Sequence, residues 1–119
     1  MADDGIEITT GLELAQPVEK LPIDYGEYGL ETTVPPSEQD AYSGNEVVRT
    51  VDEATQARYY ASAISLAACQ KNVRMLLLFH VLDEQQLQGL QSGLYYADGK
   101  PKASRDQVRG EIEHPSCRS

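Results

Sequence analysis

The feature that most limits how this chain can fold is the apolar run VRMLLLFHVL, from Val73 to Leu82. It lacks the alternation of apolar and polar residues that marks a strand with one wet face. A continuous apolar run of this kind is typical of a strand buried on both faces, as in a parallel sheet covered by helices. The run is also too short to cross a bilayer. We therefore predict an α/β fold built around a parallel sheet.

Two segments before this run supply the rest of a βαβ unit. Leu21 to Tyr25 is a short apolar strand. Thr50 and Glu53 form the T-x-x-E pattern of a capping box, and apolar residues at helical spacing follow, so we predict a helix from Val51 to Cys69. A strand, a helix and a strand in this order form a right-handed unit in which the two strands are parallel.

The segment after the second strand predicts a hairpin and a last helix. The Asp-Gly pair at Asp98 is a turn signal, with Leu94–Ala97 as one arm of the hairpin. The capping-box spacing recurs from Ser104 and predicts a helix that ends at about Glu113. The predicted organisation is a poorly ordered or short helical segment over 1–20, a folded unit over 21–113 and a tail over 114–119. Residues 30–50 form a long polar loop, which in a compact domain is usually functional or disordered.

The two cysteines show neither metal-ligand spacing nor a CxxC motif. Cys69 lies in an alanine-rich helical run, which predicts a small buried side chain. Cys117 lies in a polar tail and is compatible with a free thiol or with a disulfide to Cys69.

The charge balance restricts the partners of the chain. There are 19 acidic and 10 basic residues, which gives a formal net charge of −9. This field repels phosphate, so we predict no nucleic-acid partner and no anionic membrane partner. The first residues, MADDGIEITT, lack the basic start and the apolar region of a signal peptide, so the chain as it stands is expected to carry no export signal. The compartment stays open.

Candidate chemistry is limited to carboxylates that follow the strands. The sequence has no GxGxxG, GxxxxGK[ST], HExxH or GxSxG motif. Glu27 follows the first strand, and Asp83 and Glu84 follow the second. The C-terminal ends of parallel strands are where sites are built, and carboxylates there suit acid–base catalysis or glycosyl transfer. The alternatives are a polar strand end with a glycine turn at Glu27 and the acidic first turn of a solvated helix at Asp83.

Two segments resemble the cellulase-like (β/α)8 glycoside hydrolases of clan A, of the family 5 type. LPIDYGEYG, Leu21–Gly29, resembles their seventh strand, of the type lPvvytEfG, which ends on the catalytic nucleophile. Val73–Ser104 resembles strand eight, its loop and the sGLyyaDGtPKps segment that leads into the final helix. The resemblance covers roughly Leu21–Glu113. It implies a partial TIM barrel made of the last two β/α units, strand 7 to helix 8.

The resemblance also implies roles for individual residues. Glu27 would be the nucleophile of a retaining β-glycosidase that needs no metal and no organic cofactor. His80 falls where these barrels often carry an aromatic residue, commonly Trp, under the sugar. Tyr25 or Tyr28 would hold the Glu27 carboxylate or pack beside it, and Asp83 completes the predicted substrate-binding set.

The length of the chain limits this implication. A (β/α)8 barrel takes about 250 residues, and the chain has 119. Strand four of the family, whose Asn-Glu pair supplies the acid/base, has no counterpart here. We therefore expect the chain to be a C-terminal fragment of an enzyme that acts on a carbohydrate. The fragment alone is expected to be inactive and to self-associate through open strand edges.

A second function stays open from the sequence alone. The chain would then be a small non-catalytic carbohydrate-binding or protein-interaction module. Its sugar-stacking surface would be formed by Tyr25, Tyr28, Tyr42, Tyr95 and Tyr96.

Overall fold

The structure, a computed structural model, describes residues 21–115 and Cys117. The prediction for residues 1–20 lies outside the described part of the chain. The elements follow the predicted order of strand, helix, strand, helix. They are strand β1 (Ile23–Tyr28), a 3-10 helix (Pro36–Ala41), helix α1 (Glu53–Cys69), strand β2 (Val73–Leu78) and helix α2 (Ala103–Glu113).

The two strands form a parallel pair, as the βαβ order predicted. Ile23 pairs with Val73 at the start, and Tyr28 pairs with Leu78 at the end. One more backbone hydrogen bond, from Phe79 N to Tyr28 O at 2.9 Å, extends the pairing past the end of β2. The C-terminal ends of both strands therefore lie side by side.

Strand β1 runs three residues further than predicted, to Tyr28, and it contains a bulge. Tyr25 pairs with Leu76 and Tyr28 pairs with Leu78, so two residues of β1 stand opposite one of β2. The two residues are Gly26 and Glu27, types with low strand propensity. A bulge tolerates such residues because it interrupts the regular ladder and turns a side chain in a new direction.

Within residues 21–115 only one face of the sheet is covered, which corrects the prediction that β2 is buried on both faces. The Tyr28 ring lies 5.8 Å from the Tyr60 ring of α1, so this face packs on the helix. Met75 and Leu77 belong to the other face and are 41% and 47% exposed. The reason is that the described part of the chain supplies no third strand and no layer on that side.

Helix α1 begins with a different cap from the predicted box of Thr50 and Glu53. Asp52 is the N-cap, and its Oδ1 accepts a hydrogen bond from Thr55 N at 2.7 Å. This backbone N–H lowers the pKa of the Asp52 carboxyl. Glu53 instead reaches across to the start of α2, where its Oε1 accepts from Ala103 N at 2.8 Å. The Glu53 carboxylate, which the local pattern had assigned to the cap of α1, is therefore used in a long-range contact with α2.

Helix α2 ends at Glu113 as predicted, but Ser104 does not cap it. The helix starts at Ala103, and Ser104 is fully buried. Glu53 supplies the acceptor at the N-terminus, and α1 and α2 pack together with Ala57 and Val108 in the buried core. The two helices are therefore joined by apolar burial and by one side-chain cap.

The predicted hairpin is confirmed. Tyr96 N donates to Lys100 O and Gly99 N donates to Tyr96 O, both at 2.8 Å. Gly99 has φ = +91°, a conformation that side chains disfavour, which explains the glycine in this turn. The long loop 30–50 is also attached to the rest of the fold by a backbone hydrogen bond, in which Thr33 N donates to Val51 O at 2.8 Å.

The cysteines form a disulfide, the alternative that the sequence had left open. Cys69 and Cys117 lie 5.0 Å apart at Cα. Cys69 is exposed at the last residue of α1, so the prediction of a buried core cysteine is wrong. The bridge joins the end of α1 to the segment after α2. In the part of the chain that the structure describes, no helix has the length and apolar character that a membrane crossing requires.

Candidate active site

Glu27 and His80 both lie at the rim formed by the C-terminal ends of the two strands. Glu27 lies in the bulge of β1, and its side chain is exposed. His80 comes two residues after β2, and its side chain is 24% exposed. The Tyr28–Phe79 hydrogen bond joins the residues next to them. The structure therefore places the predicted nucleophile and the predicted sugar contact at the same end of the sheet.

Tyr25 and Tyr28 point to the helix rather than to the open rim. The Tyr25 hydroxyl donates to Gln70 Oε1 at 3.1 Å, next to the end of α1. The Tyr28 ring packs on Tyr60. Both tyrosines therefore pack against α1, the packing alternative that the sequence had left open beside a hydrogen bond to Glu27.

Asp83 is buried, and both of its carboxylate oxygens contact protein groups. Asp83 Oδ1 accepts from Lys102 Nζ and from Gly93 N, each at 2.8 Å. Asp83 Oδ2 accepts from the Tyr42 hydroxyl at 2.7 Å. The side chains of Asp83 and Lys102 have no exposed surface. Asp83 therefore offers no oxygen to a sugar in this structure, and it starts no helix either.

Lys102 is the residue at the centre of this cluster, and sequence analysis missed it. Its Nζ also donates to Thr32 Oγ1 at 2.7 Å and to Gln91 O at 3.1 Å. Burial lowers the Lys102 pKa, while the neighbouring Asp83 carboxylate opposes this effect. Thr32 follows β1 and Asp83 follows β2, so one ammonium group connects the segments beyond both strand ends.

The buried side chains of Tyr60 and Gln56 connect α1 to the segments that follow the two strands. The Tyr60 hydroxyl donates to Ser92 O at 2.7 Å and accepts from Leu30 N at 3.0 Å. Gln56, one turn earlier, donates to Leu30 O at 3.0 Å. The Ser92 hydroxyl donates to Phe79 O, next to His80. The only sequence signal for this network was a Gln and a Tyr spaced i, i+4 on the inner face of a helix.

We expect the protein to lose stability above pH 10. Burial raises the pKa of Tyr60 to about 12, and burial is also the main cause that raises the pKa values of Tyr42 and Tyr96. A tyrosine in the unfolded chain has a pKa of about 10. Between these values the unfolded chain releases protons that the folded state keeps, so the free energy of unfolding falls as pH rises.

Urea unfolding followed by circular dichroism from pH 8.5 to 11.5 measures this loss. The Tyr60→Phe variant should be less stable at pH 8.5, because its hydrogen bonds are gone, but its stability should fall less steeply with pH. Equal pH slopes for the two proteins would contradict the expectation.

Solved structures of other proteins contain a part with a fold similar to that of this chain. The chain matches no protein-family model and no curated protein sequence. It is similar in fold to a β-glucuronidase of Bifidobacterium dentium solved with coumarin-3-O-glucuronide, with a TM-score of 0.61 and 18% identity over 97% of the chain. It is also similar to a β-glucuronidase of Faecalibacterium prausnitzii, with a TM-score of 0.58 and 17% identity over 95% of the chain.

The chain spans only 18% of each of these two proteins. At such identity the likeness shows a shared fold and nothing finer. Both neighbours are TIM-barrel glycosidases, so the described strands and helices correspond to a part of such a barrel. The predicted partial-barrel fold is supported at this level. The fold likeness does not distinguish a cellulase-like barrel from another type, and it does not identify the two β/α units as the seventh and eighth.

The chemistry that the rim offers follows from these contacts. Glu27 is an exposed carboxylate at a strand end, and His80 lies on the neighbouring strand end. Within the described residues no group of three or more His, Cys, Asp or Glu side chains is arranged to bind a metal ion. An exposed carboxylate at a strand end suits nucleophilic attack or acid–base catalysis.

Proposed function

We propose that the chain is the strand-seven to helix-eight part of a retaining β-glycosidase of the cellulase-like type, with Glu27 as the catalytic nucleophile. The observation that carries the proposal is the position of Glu27. It is exposed, it lies in a bulge at the C-terminal end of a parallel strand, and the fold around it is shared with TIM-barrel glycosidases. In TIM-barrel enzymes the residues that do the chemistry come from these strand ends.

Glu27 would attack the anomeric carbon of a β-glycoside. The bond between that carbon and the leaving oxygen breaks, and a covalent glycosyl-enzyme forms. The leaving oxygen needs a proton from a second carboxyl group about 5–5.5 Å from the first, and water later hydrolyses the intermediate with the help of the same group. The segment of the family that supplies this second group has no counterpart in the sequence. The chain alone should therefore hydrolyse no glycoside at a measurable rate.

His80 would contact the sugar at the cleavage point, in place of the aromatic platform common in these barrels. The chain has no Trp. An imidazole offers hydrogen bonds as well as a ring face, so a sugar hydroxyl is a suitable partner for it. Tyr25 and Tyr28 contact α1 and Asp83 is enclosed, so the proposal rests on Glu27 and His80 alone.

Two measurements test the proposal. The first is release of nitrophenol from 4-nitrophenyl β-glucoside and β-glucuronide, where we expect no rate above buffer. The second is labelling by an N-bromoacetyl glycosylamine, a sugar-bearing alkylating agent from which a carboxylate displaces bromide without help from an acid. Mass spectrometry should find the label on Glu27, and Glu27→Gln should remove it.

The matched control for labelling is Glu46→Gln, since Glu46 is exposed on the long loop and is remote in sequence from both strands. This variant should be labelled like the wild type. Label distributed over several carboxylates, or turnover that persists in Glu27→Gln, would exclude Glu27 as the nucleophile.

The structure does not favour the tyrosine-based binding module. Tyr42 is bonded to Asp83, Tyr96 is buried, and the Tyr95 ring lies under Arg105 at 5.7 Å. The Tyr42 hydroxyl and the Tyr96 side chain are therefore engaged in internal contacts of the fold. We therefore do not propose this function.

We also expect the chain to self-associate at high concentration. Among the described residues each strand has one unpaired edge, and Met75 and Leu77 expose apolar surface on the uncovered sheet face. Unpaired parallel edges beside exposed apolar side chains favour contact with other strands. Sedimentation velocity should show a smaller associated fraction for Leu77→Asp than for the wild type. Ile112→Asp on α2 is the control, since Ile112 is also exposed but lies away from the sheet. An equal effect of both substitutions would contradict a sheet-mediated contact.

A further inference from the structure

Glu84 is an exposed carboxylate that the loop after β2 holds in one place. Its side chain is 48% exposed, yet its Oε1 accepts from Leu90 N at 3.2 Å. The backbone of Glu84 is also fixed, because its N donates to Leu90 O at 3.0 Å and its O accepts from Gln91 Nε2 at 3.2 Å. A surface carboxylate usually samples many positions, but this one is attached at both its backbone and its side chain.

Gly89 makes room for this carboxylate. A Cβ atom at position 89 would overlap Glu84 Oε1 and would lie 3.0 Å from Glu84 Cδ and 3.2 Å from Gln86 O. Gly89 is therefore needed for close approach and not for a turn with positive φ. The loop is built so that the Glu84 side chain can lie against its backbone.

The second oxygen of Glu84 faces the imidazole of His80. Glu84 Oε2 lies 4.0 Å from His80 Nε2. The other side of the ring is enclosed, since His80 Nδ1 is buried and has no hydrogen-bond partner within the described residues. The ring also packs on Phe79, with 3.7 Å between ring centroids. The Nε2 atom of His80 therefore lies near the Glu84 carboxylate, and its Nδ1 atom is buried.

We propose that Glu84, held by Leu90 N and by the space at Gly89, is a positioning residue that orients the ring of His80 on the rim beside Glu27. A neutral imidazole carries one N–H, and a carboxylate attracts it. With the hydrogen on Nε2, the N–H points toward Glu84. With the hydrogen on Nδ1, a lone pair of Nε2 is turned to the carboxylate, which is unfavourable, while the buried Nδ1 lacks a partner in either form. Glu84 therefore selects the Nε2–H form and one ring orientation.

The positioning role of Glu84 goes beyond the proposed glycosidase function. Only the contact between His80 and a sugar rests on that function. If the chain has no glycosidase ancestry, Glu84 still orients His80, and the experiment below needs no sugar. If Glu84 does not orient His80, Glu27 can still be the nucleophile, because its labelling is measured separately.

The experiment is nitrogen-15 NMR of the two histidine rings in the full chain at pH 8.5, about two units above the ordinary histidine pKa. The chain has two histidines, so the exposed His114 serves as an internal reference. In the wild type the His80 ring nitrogens should report the Nε2–H form in large excess, and its ring protons should be displaced from those of His114 by the nearby Phe79 ring.

Glu84→Gln should lower the ratio of the Nε2–H form to the Nδ1–H form by about twofold or more, since the carboxylate charge that attracts the Nε2–H dipole is replaced by a neutral amide. The Gln oxygen can still accept from Leu90 N, so the amide NH2 faces His80 and no longer attracts an N–H. Gly89→Ala should change the ratio in the same direction, because the added methyl group displaces Glu84. The matched control is Asp40→Asn, an exposed carboxylate of the 3-10 helix, and it should leave the His80 signals unchanged.

A purely structural role for Glu84 predicts a different result, in which stability falls but the tautomer ratio does not move. An unchanged ratio and unchanged His80 ring-proton shifts in folded Glu84→Gln would overturn the proposal. Glu84 is half exposed, so this variant should fold even where Gly89→Ala does not, and circular dichroism checks both. A change in Glu84→Gln together with no change in folded Gly89→Ala would overturn the role given to Gly89.

Discussion

Replacing Lys102 by Met should lower the free energy of unfolding by about 3–5 kcal/mol. Lys102 and Asp83 form an ion pair with no exposed surface. Removing the ammonium leaves the Asp83 carboxylate buried without a counter-charge, and it also takes a donor from Thr32 Oγ1 and from Gln91 O. Urea unfolding at pH 7, followed by circular dichroism, measures the change in midpoint.

The double variant Asp83→Asn/Lys102→Met separates the charge from the packing. Asparagine keeps an acceptor for Gly93 N but carries no charge, so the double variant should regain at least half of the loss. Lys71→Met is the matched control, because Lys71 is exposed in the turn between α1 and β2, and substitutions at such surface positions change the stability by about 0.5 kcal/mol or less. If the double variant is as unstable as Lys102→Met, then the unpaired charge is not the cause.

Removing the disulfide should lower the stability by about 4 kcal/mol, by the loop-entropy relation for a link of this span. The bridge joins Cys69 to Cys117, 48 residues apart in sequence. It closes a loop that contains β2 and α2, so it restricts the unfolded chain and keeps the end of α1 beside the segment after α2. For a domain of this size the melting temperature should fall by on the order of 15 °C.

Thermal unfolding with and without a phosphine reductant measures this effect, together with the variant Cys69→Ser/Cys117→Ser. Reductant should shift the melting temperature of the wild type to that of the double variant. The double variant itself should not respond to reductant. A melting temperature that is the same in all three cases would show that the bridge does not stabilise the fold.

The predicted elements depended on local patterns, and these patterns were sufficient for the order and direction of the strands. The apolar run from Val73 identified β2, although the strand ends at Leu78 and one of its faces is open. The Asp98 turn signal identified the hairpin. Such patterns succeed because the period of apolar residues and the backbone freedom of glycine act over a few neighbouring residues.

Predictions that assigned a carboxylate its partner were less successful. Glu53 was predicted to cap its own helix, but it caps α2, and Asp52 takes the cap of α1. Asp83 was predicted to face a substrate, but Lys102 encloses it. A carboxylate accepts from any donor in reach, so its partner is decided by which distant segment arrives there, and spacing along the chain does not contain that information.

By itself, then, the sequence determined the βαβα order, the parallel pairing and the candidate Glu27 at a strand end, because periodicity and connection length act locally and leave few topologies. Only the tertiary structure decided that Glu27 lies in a bulge and is exposed, that Asp83 is buried against Lys102, and that Cys69 is bonded to Cys117. The physical reason is the same in each case. Burial, charge pairing and cross-linking depend on contacts between residues far apart in the chain, and only folding brings those residues together.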